Sequence, residues 1–108
     1  VWGRTSHEGI FNTNDGNFRS ASTQQGYSGF STWTRGLSWA MLGFAEQLEF
    51  LDTQNELLDL EELGDKQFLE ATFLKAAKAT CDFYIENSAL DGIPYWDTGA
   101  PGLMNMSL

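Results

Sequence analysis

Residues 32–51 limit what this chain can become more than any other stretch. Leu37, Ala40, Met41, Phe44, Leu48 and Leu51 recur at helical spacing and form one apolar stripe. Trp39, Leu42 and Ala45 are apolar too and lie off that stripe. A helix that is apolar on more than one side must be covered on more than one side. One partner helix cannot do this, so the pattern excludes a simple two-sided amphipathic helix. Ser31 or Thr32 stands where a helix cap belongs. Gly36 and Gly43 each cost about 1 kcal/mol relative to Ala, and they permit close helix packing.

A second strong helix is expected over residues 66–87. Asp65 caps it, and its stripe is Leu69, Phe73, Ala76, Ala77, Thr80, Phe83 and Tyr84. A weaker helical segment covers residues 55–63 and is closed by Gly64. Helices joined by a short acidic connector imply an antiparallel hairpin, with Met41, Phe44 and Leu48 packed on Leu69, Phe73, Ala77 and Phe83. Residues 1–11 read as extended. Residues 12–31 are dense in Asn, Gly, Ser and Thr, show no period, and contain a turn at Asn14-Asp15-Gly16-Asn17. Residues 88–108 read as loop. A loop of about 20 residues is uncommon in a compact domain and is usually functional when ordered.

Charge and residue counts exclude several classes. Six Lys and Arg against 15 Asp and Glu give a net charge of −9, the wrong sign for a nucleic-acid backbone. Nine of the acids lie between Glu46 and Glu70, opposed only by Lys66. They read as a solvated helical face and turn, without the ligand order of a calcium loop. The single cysteine, Cys81, excludes an intrachain disulfide and a multi-cysteine zinc site, and the single histidine excludes a multi-histidine metal site. No apolar run approaches the roughly 20 residues of a membrane span. Neither a metal, a nucleic acid nor a membrane is expected as a partner.

The aromatics point to a ligand. Trp2, Phe11, Phe18, Tyr27, Phe30, Trp33 and Trp39 crowd the first 40 residues among polar ones. Such rings suit the flat apolar faces and hydroxyls of a sugar; the alternative is that they fill a core. Arg35 lies in the first turns of the expected helix, and Trp39 follows four residues on, so both project from one face. The helix N-terminus and a planar guanidinium together suit a carboxylate, hence a uronic acid. A structural ion pair is the other reading of Arg35. Gln25, in the preceding loop, offers amide hydrogen bonds to hydroxyls. His7, in Ser6-His7-Glu8, is either structural or a site residue. The loop carboxylates are Glu8, Asp15, Asp91 and Asp97. Asp15 and Asp91 precede Gly and read as turn residues, and Asp97 reads as a loop tie. None is convincing as a general acid.

The run Gln-Gly-Tyr-Ser…Ser-Thr-Trp-Thr-Arg-Gly…Trp-Ala…Gly-Phe-Ala, from Gln25 to Ala45, resembles the signature of the unsaturated glucuronyl hydrolases, glycoside hydrolase family 88. Phe73-Leu74…Ala77 looks like the family's next helix. The segment Asp91-Gly92-Ile93-Pro94-Tyr95-Trp96-Asp97-Thr98-Gly99-Ala100-Pro101 looks like its Trp-Asp…Ala-Pro loop. The resemblance implies an all-α fold, a fragment of an (α/α)6 toroid of six-hairpin glycosidase type, with long N-terminal and C-terminal loops. It implies hydration of a 4,5-unsaturated uronyl residue at the end of a lyase-generated oligosaccharide, with no metal or cofactor. Two aspartates do the acid/base work in the family and precede the histidine stretch, so the catalytic pair is expected outside this chain. His7, Gln25, Arg35 and Trp39 match positions lining the family's substrate site, with a supporting role for His7, and Trp33, which lies within the motif, is counted as substrate-binding with them. Leu37 and Gln24 stand where the family often has Gln and His.

Residues 1–108 are therefore expected to be a partial glycosidase domain, truncated at both ends, whose partners are a uronic-acid oligosaccharide and the remainder of its own parent chain. A non-catalytic carbohydrate-binding protein and an acidic helical interaction protein are the alternatives. The second requires Arg35 and Trp39 to be buried against protein. Compartment and parent polysaccharide stay open.

Overall fold

The computed structural model describes residues 2–54 and 65–102. Chain order gives strand β1 (Glu8–Phe11), strand β2 (Phe18–Ser22), helix α1 (Thr34–Thr53) and helix α2 (Lys66–Glu86). The weaker segment expected at 55–63 and the chain end at 103–108 lie outside the described residues.

The two helices form the expected pair. Gln54, just past the end of α1, accepts a hydrogen bond from Lys66 Nζ at the start of α2, so the chain reverses between them. The Phe44 and Phe73 rings approach to 6.2 Å. Leu37, Leu51, Ala79 and Phe83 are buried along the contact, and Thr80 is buried with its hydroxyl turned back on the Ala76 and Ala77 carbonyls. That bond satisfies a polar group that packing would otherwise strand. Asp65 caps α2 as expected, accepting from Phe68 N–H at 2.7 Å.

The start of α1 differs from expectation. Its N-cap is Trp33, in extended conformation and without a side-chain cap. Thr32 and Ser31 are engaged elsewhere: Thr32 Oγ1 donates to Thr5 O, and Ser31 Oγ donates to Ser28 O. A strand-like bridge between Trp33 and Asp97 takes the place of a cap, with Thr34 N–H on Trp96 O and Thr98 N–H on Thr32 O, both at 3.0 Å. The glycine expectation divides likewise. A Cβ on Gly36 would lie 3.1 Å from the Trp33 ring, so Gly36 lets that ring fold against the helix. Gly43 faces open space and mediates no close packing among the described residues.

The polar stretch 12–31 is not irregular throughout. Phe18–Ser22 pairs antiparallel with Glu8–Phe11, with an irregularity between Ile10 and Phe11. The fold is thus two helices plus a small hairpin, not purely helical. Its turn is the expected one: Gly16 takes φ +75°, and Asp15 Oδ1 accepts from Asn17 N–H at 2.8 Å.

The N-terminal segment lies across α2. A Cβ on Gly3 would fall 2.0 Å from the Ala79 carbonyl oxygen, and Lys75 Nζ sits 5.1 Å from the Trp2 ring. Arg4 donates to Ser31 O at 2.8 Å. These contacts deliver His7 to the start of α1.

Candidate functional site

Three aromatic side chains meet above the start of α1. His7 lies 4.6 Å from Trp33, and Trp33 meets Trp39 edge-on at 5.4 Å, centroid to centroid. His7 arrives from the segment before β1, Trp33 from the helix cap and Trp39 from the second turn of α1. Trp33, Arg35 and Trp39 line one open groove of about 460 Å³, with Ser38, Leu42 and the 94–96 loop. The i, i+4 spacing of Arg35 and Trp39 thus puts both on one wall. Both are exposed, Trp39 to 59%. Among the described residues Arg35 has no salt bridge, so none of their carboxylates accounts for it.

The 94–96 loop was not anticipated as part of this site. Pro94, Tyr95 and Trp96 form the opposite wall. They arrive there because Thr34 Oγ1 donates to Tyr95 O and Thr34 N–H to Trp96 O, clamping the loop on the helix start. In the structure the Trp96 ring is half-exposed beside Asp97, whose carboxylate is wholly buried.

That carboxylate, Asp97, fixes the loops. Its Oδ2 accepts from Tyr27 N–H at 2.8 Å and its Oδ1 from Gly99 N–H at 2.9 Å. Two backbone donors let a buried carboxylate stay in place, and the Tyr27 bond ties the loop before α1 to the loop after α2. Asp97 is a loop tie, as its position suggests. Asp15 and Asp91 bond the amides two residues on, in turns. Glu8 pairs within the hairpin, opposite Ser22. None of the four lines the groove.

His7 and Gln25 are linked through backbone. His7 Nδ1 lies 3.0 Å from Thr23 Oγ1 and receives the N–H groups of Gln24 and Gln25 at 3.2 and 3.4 Å. The Gln25 side chain is exposed and makes no hydrogen bond among the described residues. Among the same residues no cluster of three metal-ligating side chains occurs.

A larger hollow of about 550 Å³ lies between the helices, lined by Leu48, Glu49, Asp52, Gln67, Glu70 and Leu74. Its three carboxylates repel an anionic sugar. The groove at Arg35 offers the opposite sign together with the aromatic faces.

No family model matches the chain, and no solved structure does. Two curated proteins do. An unsaturated glucuronyl hydrolase of Formosa agariphila is 30% identical over 93 residues, covering 84% of this chain and 19% of its own length. An unsaturated glucuronyl hydrolase of Bacillus sp. (strain GL1) is 32% identical over 95 residues, covering 88% of this chain and 21% of its own. The chain spans about a fifth of the length of these relatives. Along most of its own length, then, this chain is similar to one stretch of the unsaturated glucuronyl hydrolases.

Proposed function

We propose that the chain is a segment of an unsaturated glucuronyl hydrolase, and that the groove at the start of α1 holds the unsaturated uronyl residue. One observation carries this: Arg35, with no carboxylate partner among the described residues, shares an open groove with Trp33 and Trp39. The guanidinium fork matches the uronate carboxylate bidentately, and the indoles cover the ring faces. Gln25 reaches hydroxyls from the adjacent loop, and His7, packed on Trp33 beside the groove, adds a further sugar contact.

The chemistry proposed is hydration. Water adds across the C4–C5 double bond of the uronyl ring, and the resulting hemiketal opens and releases the remaining sugar. A general acid and base are required. Among the described residues, the loop carboxylates Glu8, Asp15, Asp91 and Asp97 sit in the hairpin, in turns or in a buried tie. Following the family resemblance, we assign the paired aspartates to the parent chain outside these residues, in a toroid of helical hairpins of which α1 and α2 form part.

The test is turnover of an unsaturated uronyl disaccharide by the full-length protein, followed by loss of the absorbance of the conjugated double bond. The expected result is loss of absorbance with stoichiometric release of the second sugar. Binding without loss of absorbance would favour a non-catalytic carbohydrate-binding protein, and neither would sink the assignment.

A further inference from the structure

We propose that Thr23 is a positioning residue: with the Gln24 and Gln25 amides, its hydroxyl holds His7 as the tautomer that carries its proton on Nε2, so that His7 meets the sugar as an N–H donor. The sugar-facing half rests on the function proposed above, and the tautomer rests on geometry alone.

Thr23 Oγ1 accepts from Gly26 N–H at 2.8 Å. A hydroxyl has one proton to give, and His7 Nδ1 stands 3.0 Å away to take it. The Gln24 and Gln25 amides aim their N–H groups at the same nitrogen, from 3.2 and 3.4 Å. Two backbone N–H groups aimed at one imidazole nitrogen require a lone pair there, because a proton would meet them head-on, and the Thr23 hydroxyl, free to rotate, then adds the shortest bond to it. The neutral ring's single proton then sits on Nε2.

This settles what His7 offers. With its lone pair engaged, Nδ1 neither takes a proton from substrate nor binds a metal. Nε2–H is a donor, matched to the carboxylate or hydroxyl oxygens of a uronyl residue. Packing on Trp33 at 4.6 Å fixes the ring plane, and the bonds to Nδ1 fix its rotation about that contact. Gly26 makes the arrangement possible: a Cβ there would lie 2.7 Å from Thr23 Oγ1 and 2.9 Å from Asp97 Oδ2.

The experiment uses the full-length protein with 15N-labelled histidine, and His7→Gln assigns the His7 signals by their loss. Long-range proton–nitrogen correlation separates a protonated ring nitrogen from one bearing a lone pair. In the parent and in Thr23→Ser, Nδ1 should show a hydrogen-bonded lone pair and Nε2 a proton. Thr23→Val removes the shortest of the three bonds and should shift the Nδ1 resonance part of the way toward that of an unbonded lone pair, with the proton still on Nε2. It should also lower kcat/KM on an unsaturated uronyl disaccharide about tenfold, with Ser restoring it, the scale of one lost hydrogen bond. A proton on Nδ1 in the parent overturns the proposal, as does Thr23→Val with unchanged spectrum and kinetics. If the parent leaves the disaccharide untouched, the functional reading and the donor role toward sugar fall together, while the nitrogen spectrum still decides the tautomer.

Discussion

Arg35 and Trp39 carry the residue-scale argument. A planar fork makes two parallel bonds to a carboxylate where an ammonium makes a point contact. Arg35→Lys in the full-length protein should therefore lose about 1–3 kcal/mol in kcat/KM on the unsaturated disaccharide. Equal turnover by the Lys variant would remove the carboxylate role. Trp39 is mostly exposed and sits off the apolar stripe of α1, so Trp39→Ala should lower activity while leaving the full-length protein's melting temperature within a few degrees of the parent. A large drop in melting temperature would instead make Trp39 a packing residue. The spacing of these two residues was legible because it is local, one helical turn. Thr23 against His7 and Asp97 against Tyr27 were not, since those bonds join residues 16 and 70 positions apart. No local pattern marks them.

At the scale of elements, the same distinction holds. Both helices were legible because an apolar period repeats over about five turns, and the Asp65 cap because its signal lies within three residues. The hairpin was not. β2 reads Phe-Arg-Ser-Ala-Ser, without apolar alternation, and both strands are largely exposed, so no buried face imposed a pattern. The cap of α1 failed for a tertiary reason: Thr32 and Ser31 spend their hydroxyls on other backbone, and the loop after α2 supplies the helix start instead. Asp97 holds that loop. Asp97→Asn keeps the shape and turns one acceptor into a donor, so either Tyr27 or Gly99 loses its partner. The unpaired amide should cost about 1–3 kcal/mol. Amide hydrogen exchange at Tyr27 and Gly99 in the full-length protein should speed up at one or both, and unchanged protection would show that Asp97 does not hold these loops together.

The molecule is thin for its length. Its Cα extents are 53 × 40 × 19 Å and its radius of gyration is 16.6 Å, where a compact chain of this length has about 13 Å. Among the described residues the buried apolar ones are Leu37, Leu51, Ala79, Phe83 and Ala100. Leu42, Phe50, Phe68 and Ile85 are all more than half exposed, on both helices. This is what the doubly apolar α1 sequence requires: α2 covers one side and leaves another bare. Each large side chain left wet forgoes about 1.5–3 kcal/mol, against a net domain stability of about 5–15 kcal/mol. A few such losses remove cooperative folding. The isolated 108-residue chain should therefore be helical by far-UV circular dichroism, with weak near-UV signal from its four tryptophans, a broad melt and a tendency to self-associate. It should release no sugar from an unsaturated uronyl disaccharide, since none of the carboxylates at 8, 15, 91 and 97 lines the groove. A sharp two-state melt of the monomer would show that α1 and α2 need no neighbours. Sugar release by the isolated chain would bring the acid and base inside residues 1–108.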